Sequence, residues 1–273
     1  MSLGIKEVQG KILEIMRFID KLCRDNGIVY YIMGGTALGA VRHGGFIPWD
    51  DDLDIFMTPK EYRKFKSVFN SQKSEQFVLQ EWKTTPEYLE YAKVRMNGTT
   101  FIEEAFKDRK DMHQGIYVDI MMLHKVPNNK FIQRLVYCES KFVTLYALSQ
   151  RNWRPKNIFQ KVALKSLGIL PCRLMVRMAY RRIYKYDNLI KNFQFCYWIT
   201  PAKFRKGLFD KSFFEDSVDI SFENVMLLGS SKIKEYLSYR YGEYQILPTI
   251  KERQAAVHAR IFDVNKDYRE YFK

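Results

Sequence analysis

The stretch GGTALGAVRHGGFIPWDDDLDIF, residues 34–56, places four carboxylates within five positions beside a glycine-rich loop. These carboxylates are Asp50, Asp51, Asp52 and Asp54. The run DLDIFM alternates acidic and apolar residues, which predicts a strand because successive side chains leave opposite faces of a strand. Asp52 and Asp54 are therefore expected on one face, with their backbones about 6.5 to 7 Å apart.

The residues on either side of this stretch predict the neighbouring elements. IVYYIM, residues 28–33, is β-branched and aromatic, which favours a strand that stops at the glycine pair. TALGAVR favours two short helical turns, and HGGFIP favours a loop. Thr58 and Pro59 predict the N-cap and first residue of a helix. An amphipathic N-terminal helix ending near Gly27 is indicated by apolar residues at steps of three and four: Ile5, Val8, Ile12, Ile15, Ile19 and Leu22.

Later runs complete an α+β pattern. QFVLQEW, YAKVRM, TFIEEAF and GIYVDIMML predict strands, and in the last one Asp119 lies on the face opposite Val118 and Ile120. Residues 1–125 therefore predict an α+β domain. Near the C-terminus, ENVMLLGSSKIKEYLSYRYGEYQILPT predicts a short strand, a serine-initiated helix, a turn at Gly242 and then a last polar helix.

Positive charge is concentrated in one segment. The chain of 273 residues has a formal net charge of +14. Residues 125–211 hold 19 of the 45 Lys and Arg and only three of the 31 Asp and Glu, a net charge of +16. Prolines divide this segment into predicted helices, and a basic stripe recurs every four residues at Arg173, Arg177, Arg181 and Lys185. Such a segment favours an anionic partner: nucleic acid, acidic lipid or a phosphorylated substrate.

Cysteine spacing and hydropathy indicate the cellular compartment. The four cysteines are far apart, which disfavours a zinc site and favours buried thiols in a reducing compartment. The N-terminal residues lack the uninterrupted apolar run of a secretory signal. No apolar run approaches the roughly 20 residues of a spanning helix. We therefore expect a cytoplasmic protein.

The clustered acids predict a cation site. Side chains of Asp52 and Asp54 can converge on Mg²⁺, or on Mn²⁺, and Mg²⁺ takes carboxylate oxygens together with water and substrate phosphates. Asp119 on a neighbouring strand is the best candidate for a third ligand, and such a clamp supports in-line attack at phosphorus. A lone D-x-D is more often a solvated strand edge. Four adjacent acids, however, repel one another unless a cation or arginines neutralise them.

Groups around the acids fit a phosphate ligand. Gly34 and Gly35, at the start of a short helix, would let backbone N–H groups approach a phosphate near the positive end of the helix. Arg42 could bind a phosphate oxygen in a bidentate manner.

The stretch GGTALGAVRHGGFIPWDDDLDI closely resembles the signature of the LicD family, whose members are related to fukutin and the fukutin-related protein and use a nucleotidyltransferase-like fold. YAKVRMNGTTFIEE, GIYVDIMML and YGEYQILPTIKERQAAVHA resemble further regions of the family, and together these segments cover roughly half the chain. Tyr-Gly-Glu-Tyr here replaces the commoner Tyr-Gly-Asp-Tyr.

The resemblance implies a fold and a reaction. Residues 1–125 would form the nucleotidyltransferase-like core, a mixed sheet with flanking helices; residues 126–211 a basic, mainly helical segment; and residues 212–273 a strand and helices that complete the catalytic domain. The implied activity is Mg²⁺-dependent transfer of a phospho-alcohol, usually phosphocholine, from a CDP-activated donor. The implied acceptor is a sugar hydroxyl of a cell-surface glycan precursor of the teichoic acid, lipopolysaccharide or capsule type.

The resemblance also assigns residues. Asp52 and Asp54 would be the paired metal ligands, Asp119 the third ligand and Asp50 a further one, while Arg42 would steady the developing charge. The general base is either Asp119 or Asp50. Gly34 and Gly35 would match the phosphate-facing turn of the family. Lys93 and Arg95, at i and i+2 on a neighbouring strand, could both face the donor phosphates. The further candidates for substrate binding are Thr36, His43, Tyr241, Arg253 and His258. The simpler alternatives are a solvated strand face for Lys93 and Arg95, a hydrogen-bonded loop position for His43, core packing for Tyr241, and a surface role for Arg253 and His258.

The basic segment has two interpretations. It could contact the inner face of the cytoplasmic membrane as a peripheral element, with its basic stripe on anionic lipid and with Leu174, Met178 and Trp198 in the interface, which suits a lipid-linked glycan acceptor. It could instead be an ordinary helical domain with a solvated basic face. Nucleic acid is disfavoured because no RNA-binding motif with interleaved aromatic residues is present.

Two other functions remain open at this stage. One is a nucleotidyltransferase that uses an NTP donor on RNA, protein or a small molecule. The other is a non-catalytic, cation-binding scaffold at a membrane.

Overall fold

The computed structural model describes residues 3–81, 91–149, 158, 162, 173–200, 202–249, 253 and 259–272. The chain divides into two compact units. The first unit comprises Met1–Gln80, Ala92–Met121 and Ser212–Lys273, and the second comprises Glu81–Tyr91 and Met122–Lys211.

Helices are interspersed with runs of consecutive strands along the chain, and the predicted α+β class is confirmed. The α-helices among the described residues are α1 (Leu3–Asp25), α2 (Gly34–His43), α3 (Pro59–Gln72), α4 (Lys130–Ser149), α5 (Arg173–Lys185) and α6 (Ile233–Tyr241). The strands are β1 (Tyr31–Ile32), β2 (Asp54–Met57), β3 (Phe77–Glu81), β4 (Tyr91–Met96), β5 (Thr100–Glu103), β6 (Tyr117–Met122), β7 (His124–Pro127), β8 (Phe193–Cys196), β9 (Leu208–Phe209), β10 (Ser217–Phe222), β11 (Val225–Ser230) and β12 (Ala259–Asp263).

A five-stranded sheet carries the core of the first unit, in the order β1-β2-β6-β4-β3. This order places β2 directly beside β6, and the backbone N–H of Asp119 donates to the carbonyl of Leu53 at 2.9 Å. The carboxylates of Asp54 and Asp119 therefore come from adjacent strands, although 64 residues of sequence separate them.

Helix packing follows the sequence patterns closely in two cases. The predicted stripe of α1 is buried, with Ile12, Ile15 and Ile19 at most 1% exposed. At the start of α3 the Thr58 side chain accepts a hydrogen bond from the backbone N–H of Glu61, and Pro59 takes the first helical position. Both predictions are confirmed.

The segment after β1 differs from the prediction. Instead of two short turns, α2 is one continuous helix that begins at Gly34, with φ of 55°, and ends at Gly44, with φ of 72°. The glycine pair therefore opens the helix. Strand β2 begins at Asp54, so Asp52 lies in the preceding loop and not in the strand as predicted.

The C-terminal residues close the first unit through pairings that the sequence pattern missed. Strands β10 and β11 form an antiparallel hairpin, and β12 pairs antiparallel with β5. Gly242 ends α6 as predicted, but the N-cap is Lys232 and makes no side-chain cap, so a serine cap is not found. The predicted last polar helix falls on 250–258, of which only Arg253 is described.

The second unit packs α4 against α5 and contains the three-stranded sheet β7-β8-β9, which the helical pattern had not predicted. Trp198 is 1% exposed and stacks on Phe204 at 5.2 Å, so the expectation that it reaches a membrane interface is wrong. Cys138 is exposed, against the expectation of a buried thiol. No helix in the described parts of the chain is both long and apolar enough to span a membrane.

Candidate active site

The acidic motif is held in place by side chains from distant parts of the first unit. Asp51 is 2% exposed and its Oδ2 accepts a hydrogen bond from the backbone N–H of Ala259 at 2.9 Å. Gln9 donates to the carbonyl of Asp50 at 2.8 Å. Glu223 accepts from the backbone N–H of Phe46 at 3.0 Å. Asp51 therefore anchors the loop, which leaves its three acidic neighbours for the site.

Asp54 interacts electrostatically with Asp50, Asp52 and Asp119. Burial raises the pKa of Asp54 well above its ordinary value, and the negative charges of Asp52, Asp119 and Asp50 raise it further. The Oδ1 atom of Asp54 is buried and accepts no hydrogen bond from the described residues. A buried carboxylate oxygen without a donor is costly in free energy. This observation fits a cation ligand.

Lys93 supplies the positive charge opposite Asp119. Its Nζ lies 2.9 Å from Asp119 Oδ1, 3.1 Å from Oδ2 and 3.6 Å from Glu103 Oε1. Burial raises the pKa of Asp119, while Lys93 acts in the opposite direction. Lys93 also lies 3.2 Å from the ring centroid of Tyr117 and is 2% exposed. A solvated strand face is therefore wrong for Lys93.

Arg95, two residues along the same strand, is also buried, at 1% exposure. It donates to Gln80 Oε1 at 2.5 Å and to the carbonyl of Gly115 at 2.6 Å. A solvated strand face is therefore wrong for Arg95 as well. These bonds tie β4 to its surroundings, and contact of Arg95 with a donor phosphate stays a prediction.

The N-terminus of α2 lies against the acids. A Cβ atom at Gly35 would lie 2.8 Å from Asp50 Oδ2, and one at Gly34 would lie 3.7 Å from Asp54 Oδ2. The Gly34 N–H donates to the Tyr236 hydroxyl at 3.2 Å, and Thr36 Oγ1 accepts from the Asp54 N–H at 2.8 Å. The glycines thus bring the positive helix end close to the carboxylates.

A second cluster contains arginines and aromatic rings. Arg42 donates to the carbonyl of Tyr244 at 2.8 Å and to His43 Nε2 at 3.0 Å. The Arg253 guanidinium lies 4.6 Å from the ring centroid of Trp49, next to Asp50 in sequence. Burial lowers the pKa of Arg42, and the charge of Arg253 lowers it further, so the two cations influence each other. Neither guanidinium forms an ion pair with a described carboxylate.

The remaining predicted residues fall around these clusters. His43 is exposed and its pKa is lowered by partial burial and by Arg42, which keeps the ring neutral near pH 7. Tyr241 is 44% exposed, so core packing is wrong for it; its hydroxyl lies 3.7 Å from where a Cβ of Gly34 would be. His258 lies outside the described residues.

Three residues of the site were missed by the sequence patterns: Glu103, Glu223 and Tyr236. Glu103 stands in the run TFIEEAF, and the alternation of a strand could have placed it beside Lys93. Glu223 and Tyr236 are about 180 and 200 residues from the loop and helix that they contact, and no local pattern indicates those contacts.

The carboxylates are not arranged as a ready-made metal centre. Within the described residues, no group of three or more His, Cys, Asp or Glu side chains is spaced to hold an ion. The chemistry of the donors nevertheless suits a hard cation, because they are carboxylates and the buried Asp54 Oδ1 has no hydrogen-bond donor among the described residues.

Comparison with known proteins agrees with this arrangement. Residues 27–145 match the family model described as LicD/FKTN/FKRP, nucleotidyltransferase domain. The chain is 27% identical to lipopolysaccharide cholinephosphotransferase LicD of Haemophilus influenzae over 93% of its own length and 96% of that protein. A 42-residue stretch, 15% of the chain, is 43% identical to 8% of human ribitol 5-phosphate transferase FKRP. A further stretch is 25% identical to mannosyltransferase regulator 4 of Saccharomyces cerevisiae, covering 42% of the chain and 10% of that protein.

The matched residues contain the whole acidic motif, Lys93 and Asp119, and the match to the cholinephosphotransferase runs through both compact units. Residues 27–145 of this chain therefore match the nucleotidyltransferase domain of the LicD/FKTN/FKRP family.

Proposed function

We propose that the protein is a phosphotransferase that moves a phospho-alcohol, with phosphocholine as the first choice, from a CDP-activated donor to a sugar hydroxyl of a cell-surface glycan precursor. The observation that carries the proposal is the buried Asp54 Oδ1, which accepts no hydrogen bond from the described part of the chain and lies in a cluster of mutually repelling carboxylates. The relatives named as a cholinephosphotransferase and a ribitol 5-phosphate transferase support the reaction class.

The carboxylates would hold a divalent cation. Asp52, Asp54 and Asp119 are the ligands that we assign to Mg²⁺, with Mn²⁺ as a substitute, and Asp50 is a further ligand. When bound, the ion would neutralise the donor's diphosphate and stabilise charge on the transferred phosphoryl group. The raised pKa of Asp54 fits this role, because its ionised form is unfavourable without a compensating cation.

The arginine cluster suits the donor's diphosphate. Arg42 and Arg253 are close enough to affect each other electrostatically, and neither pairs with a described carboxylate. Their described contacts are backbone carbonyls, the His43 ring and the Trp49 ring, which orient the guanidinium groups without neutralising them. Two such charges favour a dianionic ligand, and Arg binds phosphate oxygens in a bidentate manner.

The reaction itself requires one proton acceptor. The acceptor hydroxyl oxygen forms a bond to the β-phosphorus of the donor, the bond to the bridging oxygen breaks, and its electron pair leaves with CMP. The hydroxyl proton passes to a carboxylate, either Asp119 or Asp50. Lys93 would keep Asp119 in position and favour its ionised form.

The acceptor is inferred from the relatives and from the charge of the second unit. Lipopolysaccharide is named for the relative that matches most of the chain, and teichoic acid or capsule precursors present the same kind of sugar hydroxyl. We propose a lipid-linked precursor and a peripheral position on the inner face of the cytoplasmic membrane, because the second unit contains the whole strongly basic segment, residues 125–211.

The test is release of CMP by the purified protein. CDP-choline, CDP-ribitol and CDP-glycerol are each incubated with Mg²⁺ and a lipid-linked glycan extract, with and without a chelator. Release from one donor that stops with the chelator supports the proposal and identifies the alcohol. Turnover of NTPs without CMP release from any CDP-alcohol would indicate a nucleotidyltransferase instead. No turnover of any nucleotide in the presence of acceptor would favour a non-catalytic scaffold.

A further inference from the structure

Helix α4 of the second unit carries an apolar stripe on its solvent side. With 3.6 residues per turn, positions separated by alternating steps of four and three share one face. Phe131 is 70% exposed, Leu135 50% and Leu145 42%. Cys138 is exposed and Phe142 half-buried on the same face. A core-facing helix would normally turn this stripe inward.

The opposite face of α4 is the buried one, although half of its residues are polar. It comprises Gln133, Val136, Ser140, Val143, Thr144 and Ala147. The polar side chains are satisfied internally: Gln133 donates to Gln194 Oε1 at 2.8 Å, Ser140 to the Val136 carbonyl at 2.7 Å and Thr144 to the Ser140 carbonyl at 2.8 Å. The fold of the second unit therefore fixes α4 with its more apolar face outward.

Helix α5, which packs against α4, also exposes apolar side chains. Leu174 is 67% exposed, Met175 58% and Met178 44%, whereas Ala179 and Ile183 on the other side are buried. The two helices pack together, and Arg182 of α5 forms an ion pair with Glu139 of α4. We call Phe131, Leu135, Cys138, Phe142, Leu145, Leu174, Met175 and Met178 the apolar outer face.

Exposed cations lie on the same two helices as the apolar outer face. Arg134 on α4 and Arg177 and Arg181 on α5 are exposed, and none of the three forms an ion pair with a described residue. Long basic side chains beside exposed apolar residues are the pattern of helices that lie in the interface of an anionic membrane.

We propose that the apolar outer face lies in the headgroup layer of a membrane that carries anionic lipids. The charge selects this occupant over a second copy of the chain. Self-association through this face would bring together two segments that each carry a net charge of +16, whereas anionic headgroups complement that charge. The inference names the surface that would hold the proposed transferase beside a lipid-linked acceptor, so it deepens the proposed function.

The exposed thiol of Cys138 allows a direct test on the full-length chain. An environment-sensitive fluorophore is attached to Cys138 in a Cys172→Ser background, since Cys23 and Cys196 are buried. Vesicles of phosphatidylcholine alone, and vesicles that also contain phosphatidylglycerol, are then added without nucleotide or glycan. We expect a blue shift of the emission only with phosphatidylglycerol, weakened by salt. As the control, the same label on Val218→Cys in a Cys138→Ser, Cys172→Ser chain should not shift, because Val218 is exposed on the β10–β11 hairpin of the first unit.

Substitution separates the outcomes. Phe131→Asp with Leu135→Asp should reduce co-flotation with anionic vesicles by about tenfold or more, since two apolar side chains are lost from the interface. Val218→Asp with Met226→Asp, a matched change at exposed apolar residues of the hairpin, should leave flotation unchanged. The inference would be overturned if anionic vesicles caused neither the emission shift nor flotation. It would also be overturned if the parent chain formed a dimer in solution and the Phe131→Asp, Leu135→Asp chain did not. Because these measurements contain no substrate, their failure would not bear on phosphotransfer.

Discussion

Lys93 Nζ lies 2.9 Å from Asp119 Oδ1 and 3.1 Å from Asp119 Oδ2, with both side chains largely buried. Strands β4 and β6 are neighbours in the sheet, so this ion pair is fixed by the backbone on both sides. The pair holds one candidate metal ligand or base against a cation, while Asp54 on the next strand forms no ion pair with any residue that the structure describes. We therefore assign different roles to the two carboxylates: Asp54 needs a bound cation, whereas Asp119 is already paired with Lys93.

Loss of the Lys93 ammonium should be strongly destabilising. Lys93→Met leaves buried negative charge on Asp119 and Glu103, and we expect a loss of about 3–5 kcal/mol in the free energy of unfolding, measured with urea. The control is Lys64→Met, which removes a partly exposed ion pair with Glu61 at 3.0 Å and should cost at most about 1 kcal/mol. Equal, small effects of the two changes would contradict the role assigned to Lys93.

Asp54 should oppose stability while it supports activity. Asp54→Asn removes a carboxylate that is buried among like charges, so we expect the ion-free protein near pH 7 to gain about 0.5–2 kcal/mol in unfolding free energy. The same change should lower the rate of CMP release by about 10²–10³-fold. Asp111→Asn, at an exposed surface acid, should change neither by much. Destabilisation by Asp54→Asn would mean that the carboxylate is already stabilised by partners in the ion-free protein.

The effect of Asp54 should depend on pH in a defined direction. Its pKa is raised in the folded protein, so between the ordinary value of 3.8 and the raised value the folded state binds more protons than the unfolded state. Stability contributed by this group is therefore present at low pH and is lost as pH rises. The stability advantage of Asp54→Asn over the parent should grow from about pH 4 upward in urea titrations with chelator. A pH-independent difference would contradict the electrostatic origin, and Mg²⁺ should reduce the difference.

The pattern of the acidic motif was enough to predict some of this site. The alternation in DLDIFM and GIYVDIMML correctly predicted two strands with Asp54 and Asp119, and the Thr58-Pro59 start of α3 was found as expected. The contacts that shape the site could not be predicted in this way. The contacts of Tyr236 with Gly34 and of Glu223 with Phe46 join residues about 200 and 180 positions apart. Contacts at such separations leave no periodic pattern in the local sequence. Trp198 was misplaced because its burial depends on packing against Phe204 and Tyr137 and not on its position beside basic residues.

Gly35 should be required for activity more than for stability. A Cβ atom at this position would lie 2.8 Å from Asp50 Oδ2, and the flexible carboxylate can move away at small cost. We expect Gly35→Ala to lower CMP release by about tenfold or more, and to change unfolding free energy by less than about 1 kcal/mol. Gly10→Ala in α1 has no atom within 4 Å of the new Cβ and should retain full activity. Full activity of Gly35→Ala would exclude Asp50 from the site.

The arginine cluster should act on donor binding. Arg253→Ala removes a cation that stacks on Trp49 near Asp50, and we expect the KM for the CDP-alcohol to rise about tenfold with a smaller change in kcat. Arg269→Ala, which removes an exposed arginine paired with Asp267, is the matched control and should leave KM unchanged. An unchanged KM for Arg253→Ala would place the donor's phosphates elsewhere.

The most direct test of the central claim follows the two phosphorus atoms of the donor separately. CDP-choline labelled with ³²P at the α- or the β-position is incubated with the protein, Mg²⁺ and the glycan extract, beside Asp54→Asn. Phosphocholine transfer predicts that the β-label enters the glycan and the α-label leaves as CMP, and that both processes stop in Asp54→Asn. Entry of the α-label into the acceptor would mean that the protein transfers the nucleotide instead, and would contradict the account.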